Sequence, residues 1–128
     1  MKQSEFDSVF SELRDVLKKH AKILTVTADR PDYYCLSIDF SPKLGRGFPV
    51  AWIKMGKRYV SFHLMPVYMF PKLLASLSKK LRARMQGKSC FNFTHIDEEL
   101  FEELSRVTTK GLEMSREAGF DPNAKQKS

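Results

Sequence analysis

A two-layer α+β sandwich, with an antiparallel five-stranded sheet and helices on one face, is the fold class this sequence predicts. Three observations predict it. Long segments near both ends carry apolar residues at helical spacing, and short segments between them alternate apolar with polar residues. The connections between most of those short segments are too brief for parallel crossovers, so the strands pair as hairpins.

The first helix is marked by Phe6, Val9, Phe10, Leu13, Val16 and Leu17, one stripe at i, i+3, i+4, i+7 spacing. Ser4 is placed to cap it. Asp7 near its start and Lys18, Lys19 and His20 near its end suit the helix dipole. Residues 23–28 then read as a short β-branched strand, and Asp29-Arg30-Pro31-Asp32 as a turn. Along residues 33–40, Tyr34, Leu36, Ile38 and Phe40 point one way, and Tyr33, Cys35, Ser37 and Asp39 the other.

A loop over residues 41–47 carries Pro42, Gly45 and Gly47. The third strand, residues 48–55, sets Ala51, Ile53 and Met55 against Val50, Trp52 and Lys54. Gly56-Lys57 turns it directly into residues 58–65, where Val60, Phe62 and Leu64 alternate with Ser61, His63 and Met65. Pro66 and Pro71 mark a bend. Residues 69–77 and 78–85 read as two helical pieces, the second capped by Ser78 and ended by Gly87. The fifth strand is residues 88–93, with Ser89, Phe91 and Phe93 on one face and Lys88, Cys90 and Asn92 on the other. Asp97 caps a final helix whose stripe is Leu100, Phe101, Leu104, Val107, Leu112 and Ser115, and Gly119 closes it.

The chain has 128 residues, which implies one domain over residues 1–120 and a disordered tail over 121–128. A chain of this length buries about two-thirds of its unfolded surface, enough for a core without staples. Ten phenylalanines supply bulk for that core. No leader peptide and no membrane-length apolar run is visible, so the expectation is a soluble cytoplasmic protein with no membrane partner. Two cysteines, Cys35 and Cys90, form no CxxC pair, and two free thiols are the default in that compartment.

Net charge is +7, and the excess is concentrated: Asp and Glu are absent between Phe40 and Ile96. A basic middle suits an anionic ligand, an acidic partner or nucleic acid. The face opposite the helices should display Tyr33, Cys35, Ser37, Asp39, Trp52, Lys54, Ser61, His63, Lys88, Cys90 and Asn92. An apolar platform beside a few hydrogen-bonding groups is the make-up of a small-ligand pocket. From this set Trp52 is expected as the platform, Lys54 and Lys88 as the charge, and His63 and Asn92 as directional hydrogen bonders. Tyr and Trp on an open sheet face also suit a homodimer interface.

Other chemistries are less complete. Cys35 or Cys90 with His63 and Asp39 has the types for a thiolate nucleophile, but no surrounding motif, so a non-enzymatic protein is expected. His20, His63 and His95 share no ligand spacing. Lys79, Lys80, Arg82, Arg84 and Lys88 form the densest basic run, without a nucleic-acid signature beside it. No cofactor is named by any motif.

The run SFHLMPVYMFP, the basic stretch after it, MQGKSCFNF and the helix opening IDEELFEEL resemble the YdhG-like proteins, small bacterial domains of largely unknown function. The resemblance covers about residues 48–114 and implies an antiparallel sheet backed by helices, related to secretion-chaperone-like and TfoX N-terminal-like folds. One branch of that family is frataxin-like, which implies iron handling through carboxylate or histidine ligands. Here the middle is basic and the acidic cluster is Asp97 to Glu103. The expected function is therefore binding of a small, anionic ligand on the open sheet face. Iron handling, or nucleic-acid binding through residues 79–88, is the alternative.

Overall fold

The amphipathic stripe at the N-terminus folds as α1 (Gln3–Lys18) and buries Phe6, Val9, Phe10, Leu13, Val16 and Leu17. The computed structural model describes residues 3–120. Ser4 lies inside α1 rather than ahead of it, and the expected tail, 121–128, falls outside the described residues. Five further segments pair as strands: β1 (Thr25–Arg30), β2 (Tyr33–Ser41), β3 (Arg46–Met55), β4 (Val60–Leu64) and, after three short helices, β6 (Cys90–Phe93).

The helical pieces are α2 (Met65–Met69), α3 (Pro71–Ala75) and α4 (Lys79–Arg82), with prolines opening the first two. Ser78 caps the third, its Oγ accepting from Leu81 N at 3.1 Å. The expected helix over 78–85 stops at Arg82. Met85–Gln86 instead forms β5, which pairs β6 across a turn where Gly87 takes φ +78°. A side chain with a Cβ is strained there, which is why the chain reverses at a glycine. The sheet thus has six strands in the order β1-β2-β3-β4-β6-β5, all antiparallel, rather than the five expected. Asp97 caps α5 (Glu98–Glu117), accepting from Leu100 N at 3.1 Å.

All the helices contribute to one core against one sheet face. Tyr34, Ile53, Phe62 and Phe91 form a buried row across β2, β3, β4 and β6, and Leu13, Leu17, Leu81 and Leu104 are among the fully buried helix residues over that face. Two bulges in the β2–β3 pair shift the expected alternation. One lies between Leu36 and Ser37, opposite Ala51 and Pro49, and turns Val50 into the core beside Ala51. The other lies between Ile38 and Ser41; it leaves Phe40 50% exposed and buries Ser41 completely. An inserted residue reverses every face assignment beyond it.

Gly111 shows how closely α5 meets the proline bend. A Cβ there would lie 2.8 Å from Pro66 Cβ and 3.1 Å from Leu73 Cδ2. Alanine in place of glycine normally stabilises a helix interior by about 1 kcal/mol. Here the rigid proline ring cannot yield, so Gly111→Ala is expected to destabilise by about 1–3 kcal/mol. A raised urea midpoint for that variant would contradict the packing.

Candidate functional site

Pairing register builds the open face as two polar rows. The first runs Ala28, Cys35, Trp52, His63, Cys90, Gln86 from β1 to β5. The second runs Arg30, Tyr33, Lys54, Ser61, Asn92. Each residue is held on this face because its strand neighbours are buried on the other: Ile53 beside Trp52 and Lys54, Phe62 beside Ser61 and His63, Phe91 beside Cys90 and Asn92. A concavity of about 680 Å³ opens over the β4–β6 end, walled by Trp52 and Lys54 on one side, Gln86 on the other, and the β3–β4 hairpin at its end. That hairpin is closed by Gly56 N donating to Tyr59 O at 2.9 Å and adds Lys57, Arg58 and Tyr59 to the wall.

Trp52 and His63 stack across the β3–β4 pair, ring centroids 4.7 Å apart and planes within 9°. Their spacing equals the distance between strands, so both rings stand up from the sheet side by side. Beyond His63, Asn92 organises the floor. Its Oδ1 accepts from Ser61 Oγ at 3.1 Å and from Cys90 Sγ at 3.3 Å, while its Nδ2 donates to Gln86 Oε1 at 2.7 Å. Both acceptor positions of the Asn92 carbonyl are thereby occupied, leaving one Nδ2 proton. The Gln86 amide nitrogen keeps both of its protons for anything bound. Among the described residues no carboxylate lines the concavity, and Lys54, Lys57 and Arg58 do.

Four of the five expected site residues, Trp52, Lys54, His63 and Asn92, meet at this concavity. Lys88 does not. It sits in the turn between β5 and β6, ahead of the strand, with its Nζ 5.5 Å from the centre of the Tyr68 ring. The charge expected of it is supplied by Lys57 and Arg58. Their signal was the Gly56-Lys57 turn, which places the flanking residues at the strand end nearest Lys54. Gln86 was hidden because its two-residue strand carries no pattern of its own.

His63 Nε2 lies 3.7 Å from Cys90 Sγ. Burial, with the Lys54 charge next, lowers the imidazole below its usual range. Burial raises the Cys90 thiol, against a smaller opposing effect from Ser61. Both shifts favour a neutral thiol beside a neutral imidazole, the reverse of an activated nucleophile. Asp39 cannot orient the pair, since it lies four residues beyond Cys35 along β2, about 13 Å from the Cys35–Cys90 row. Cys35 and Cys90 are three strands apart in that row, with Trp52 and His63 between them, or about 14 Å. A disulfide needs its Cα atoms within about 7 Å.

His20 is lowered as well, by burial first and then by Lys19 and Arg116. A histidine that resists protonation when folded, but not when unfolded, leaves the unfolded state binding more protons below 6.5. Stability is therefore expected to fall as pH drops from about 7.5 through 6.5 toward the lowered folded values. His63→Gln should flatten part of that slope in a series of melting curves. An identical slope in the variant would show that His63 takes no part.

Elsewhere the expected chemistry disperses. His95 Nδ1 meets Glu5 Oε2 at 2.7 Å, and Asp97 is occupied as a cap. Among the described residues no three His, Cys, Asp or Glu side chains are placed to hold a metal ion. The basic run 79–88 is broken up: Lys80 Nζ pairs with Glu99 Oε1 at 2.9 Å, and Arg82 donates to Leu74 O at 3.1 Å. Phe91 and Phe93, beside it in sequence, are buried in the core. No described helix is long and apolar enough to cross a membrane.

The class shown is an α+β domain with an open antiparallel sheet and a cation-lined concavity on the face its helices leave uncovered. Comparison with known proteins adds no particular relative, since no family model, no curated protein and no solved structure matches the chain.

Proposed function

We propose that this protein is a non-enzymatic binding domain for a small anionic ligand, held in the concavity on the open sheet face. One observation carries the reading: the Asn92 carbonyl is used up internally, no carboxylate of the described residues lines the concavity, and the Asn92 and Gln86 N–H groups face it together with Lys54, Lys57 and Arg58. A ligand rich in acceptors and negative charge matches that surplus. The volume, about 680 Å³, falls in the range of small-molecule sites. Face-to-face pairing of two copies is less well matched, because it would take Lys54, Lys57 and Arg58 out of water with no carboxylate of the described residues in the concavity beside them. Metal handling, the alternative implied by the YdhG-like resemblance, needs at least three carboxylate or imidazole groups around one point. The described residues offer no such group.

The reading is tested by thermal-shift screening against anionic, neutral and cationic metabolites. A ligand that binds only the folded state raises the melting temperature with the logarithm of its excess over Kd. Stabilisation is expected from anions only, weakened by added salt and lost in Lys54→Glu. Hits confined to neutral or cationic compounds, or anion hits unchanged in Lys54→Glu, would refute it.

A further inference from the structure

We infer that the anion is a nucleotide, its base stacked on His63 in a notch above Cys90 and its phosphate directed toward Lys54, Lys57 and Arg58. The inference rests on the anionic reading above and names its ligand. The notch follows from the first polar row. Trp52 and His63 already form two parallel layers 4.7 Å apart. The next position in the row is Cys90, a small side chain, and after it Gln86. From β4 across β6 to β5 is two strand spacings, about 9–10 Å. The Gln86 side chain is drawn by its bond to Asn92 toward the second row, away from the space above the thiol. What stays open is a slot with a planar imidazole as one wall, into which a flat ring fits as a third layer of the existing stack.

The donors around that slot fit the edge of a base. Asn92 keeps one Nδ2 proton and Gln86 both amide protons, side by side. Nucleobases present neighbouring ring-nitrogen and carbonyl acceptors along one edge, as guanine does with N7 and O6. The cations lie in one direction from the slot. Lys54 lies two strands across and two residues along from Cys90, about 12 Å between backbones, a gap that its own long side chain and the sugar-phosphate arm of a nucleotide span together. Lys57 and Arg58 stand beyond it at the hairpin and would meet further phosphates. Stacking on an aromatic face accepts any base, while the cations make binding depend on salt. A carboxylate metabolite without a flat ring would use the cations and leave the slot empty.

Two sources share this chemistry, a free nucleotide with several phosphates and a nucleotide within a single strand. Trp52 is the sole tryptophan, so its fluorescence reports on the stack directly. The experiment titrates the full chain with guanosine and cytidine mono- and triphosphates and with a mixed-sequence single-stranded hexanucleotide. Ribose 5-phosphate and inorganic phosphate serve as ligands lacking a base. Saturable quenching is expected with the nucleotides, at least tenfold tighter than with ribose 5-phosphate. His63→Ala should weaken it about 10- to 100-fold, the usual effect of losing one stacking partner. Cys90→Leu fills the slot without touching a cation or the core, so it should abolish the preference for nucleotides while phosphate binding persists. Melting curves of both variants check that they fold. A hexanucleotide tighter than the triphosphates identifies a single-strand surface, and the opposite order a free nucleotide. If ribose 5-phosphate binds as well as the nucleotides, or Cys90→Leu leaves their affinity unchanged, the slot holds no base. The nucleotide inference then fails while the anionic reading stands. If no anion binds at all, both fail.

Discussion

Phe62→Ala is expected to lower stability by about 3–5 kcal/mol, the usual range for removing a fully buried aromatic ring. Phe62 is completely inaccessible in β4, between Ile53 on one neighbouring strand and Phe91 on the other, both also inaccessible. The helices roof this row, and regular pairing on both sides of β4 limits collapse into the space left. A domain of this size has about 5–15 kcal/mol in total, so the loss takes a large part of it. Urea denaturation should show a much lower midpoint with an unchanged slope. A loss under about 1 kcal/mol would mean that the centre of the sheet is not packed as described.

Gly47→Ala is expected to be nearly as damaging, for a different reason. Gly47 has no left-handed backbone, so its role is space alone. A Cβ there would collide with the backbone oxygen of Asp39 and lie 2.7 Å from that of Ile38. Both oxygens belong to β2 at its second irregularity, where Ser41 is buried and pairs with Arg46. Backbone cannot move aside as a flexible side chain can, so the β2–β3 pair must separate locally. A cost of about 3 kcal/mol or more is expected. Hydrogen exchange should show the loss spread over the Phe48 and Val50 amides rather than confined to the turn. A variant as stable as the parent would show that the strands do not approach so closely here.

The polar half of the site was legible because period two is a strict rule along an unbroken strand. Trp52, Lys54 and His63 share a face since Ile53 and Phe62 must go inward, and Asn92 follows from Phe91 and Phe93 in the same way. Local pattern fails where an extra residue enters. Alternation sends Val50 outward and Phe40 inward, yet Val50 lies in the core and Phe40 is exposed, each at a bulge that hydropathy does not mark. Lys88 failed for a related cause. Gly87 at φ +78° ends the short strand, and Lys88 belongs to the turn rather than to β6. The stacking of Trp52 on His63 depends on register between strands, which no single strand's sequence contains. Two helix starts were readable, although Ser4 lies inside α1 and the helix after Ser78 ends at Arg82. The caps at Ser78 and Asp97 are local hydrogen bonds, made by the residues that sequence pointed to.

The alternation that builds the site also separates two kinds of heritable change. Along residues 51–54 of β3, and along β4 and β6, positions that hold the domain together and positions that face the open side take turns, one residue at a time. Exchanging Trp52, Ser61, His63, Cys90 or Asn92 alters the lining of the concavity and leaves the core side chains untouched. The chemistry of the open face can therefore drift by single substitutions while the architecture stays fixed. An insertion or deletion of one residue in any of these strands would instead strike both properties at once.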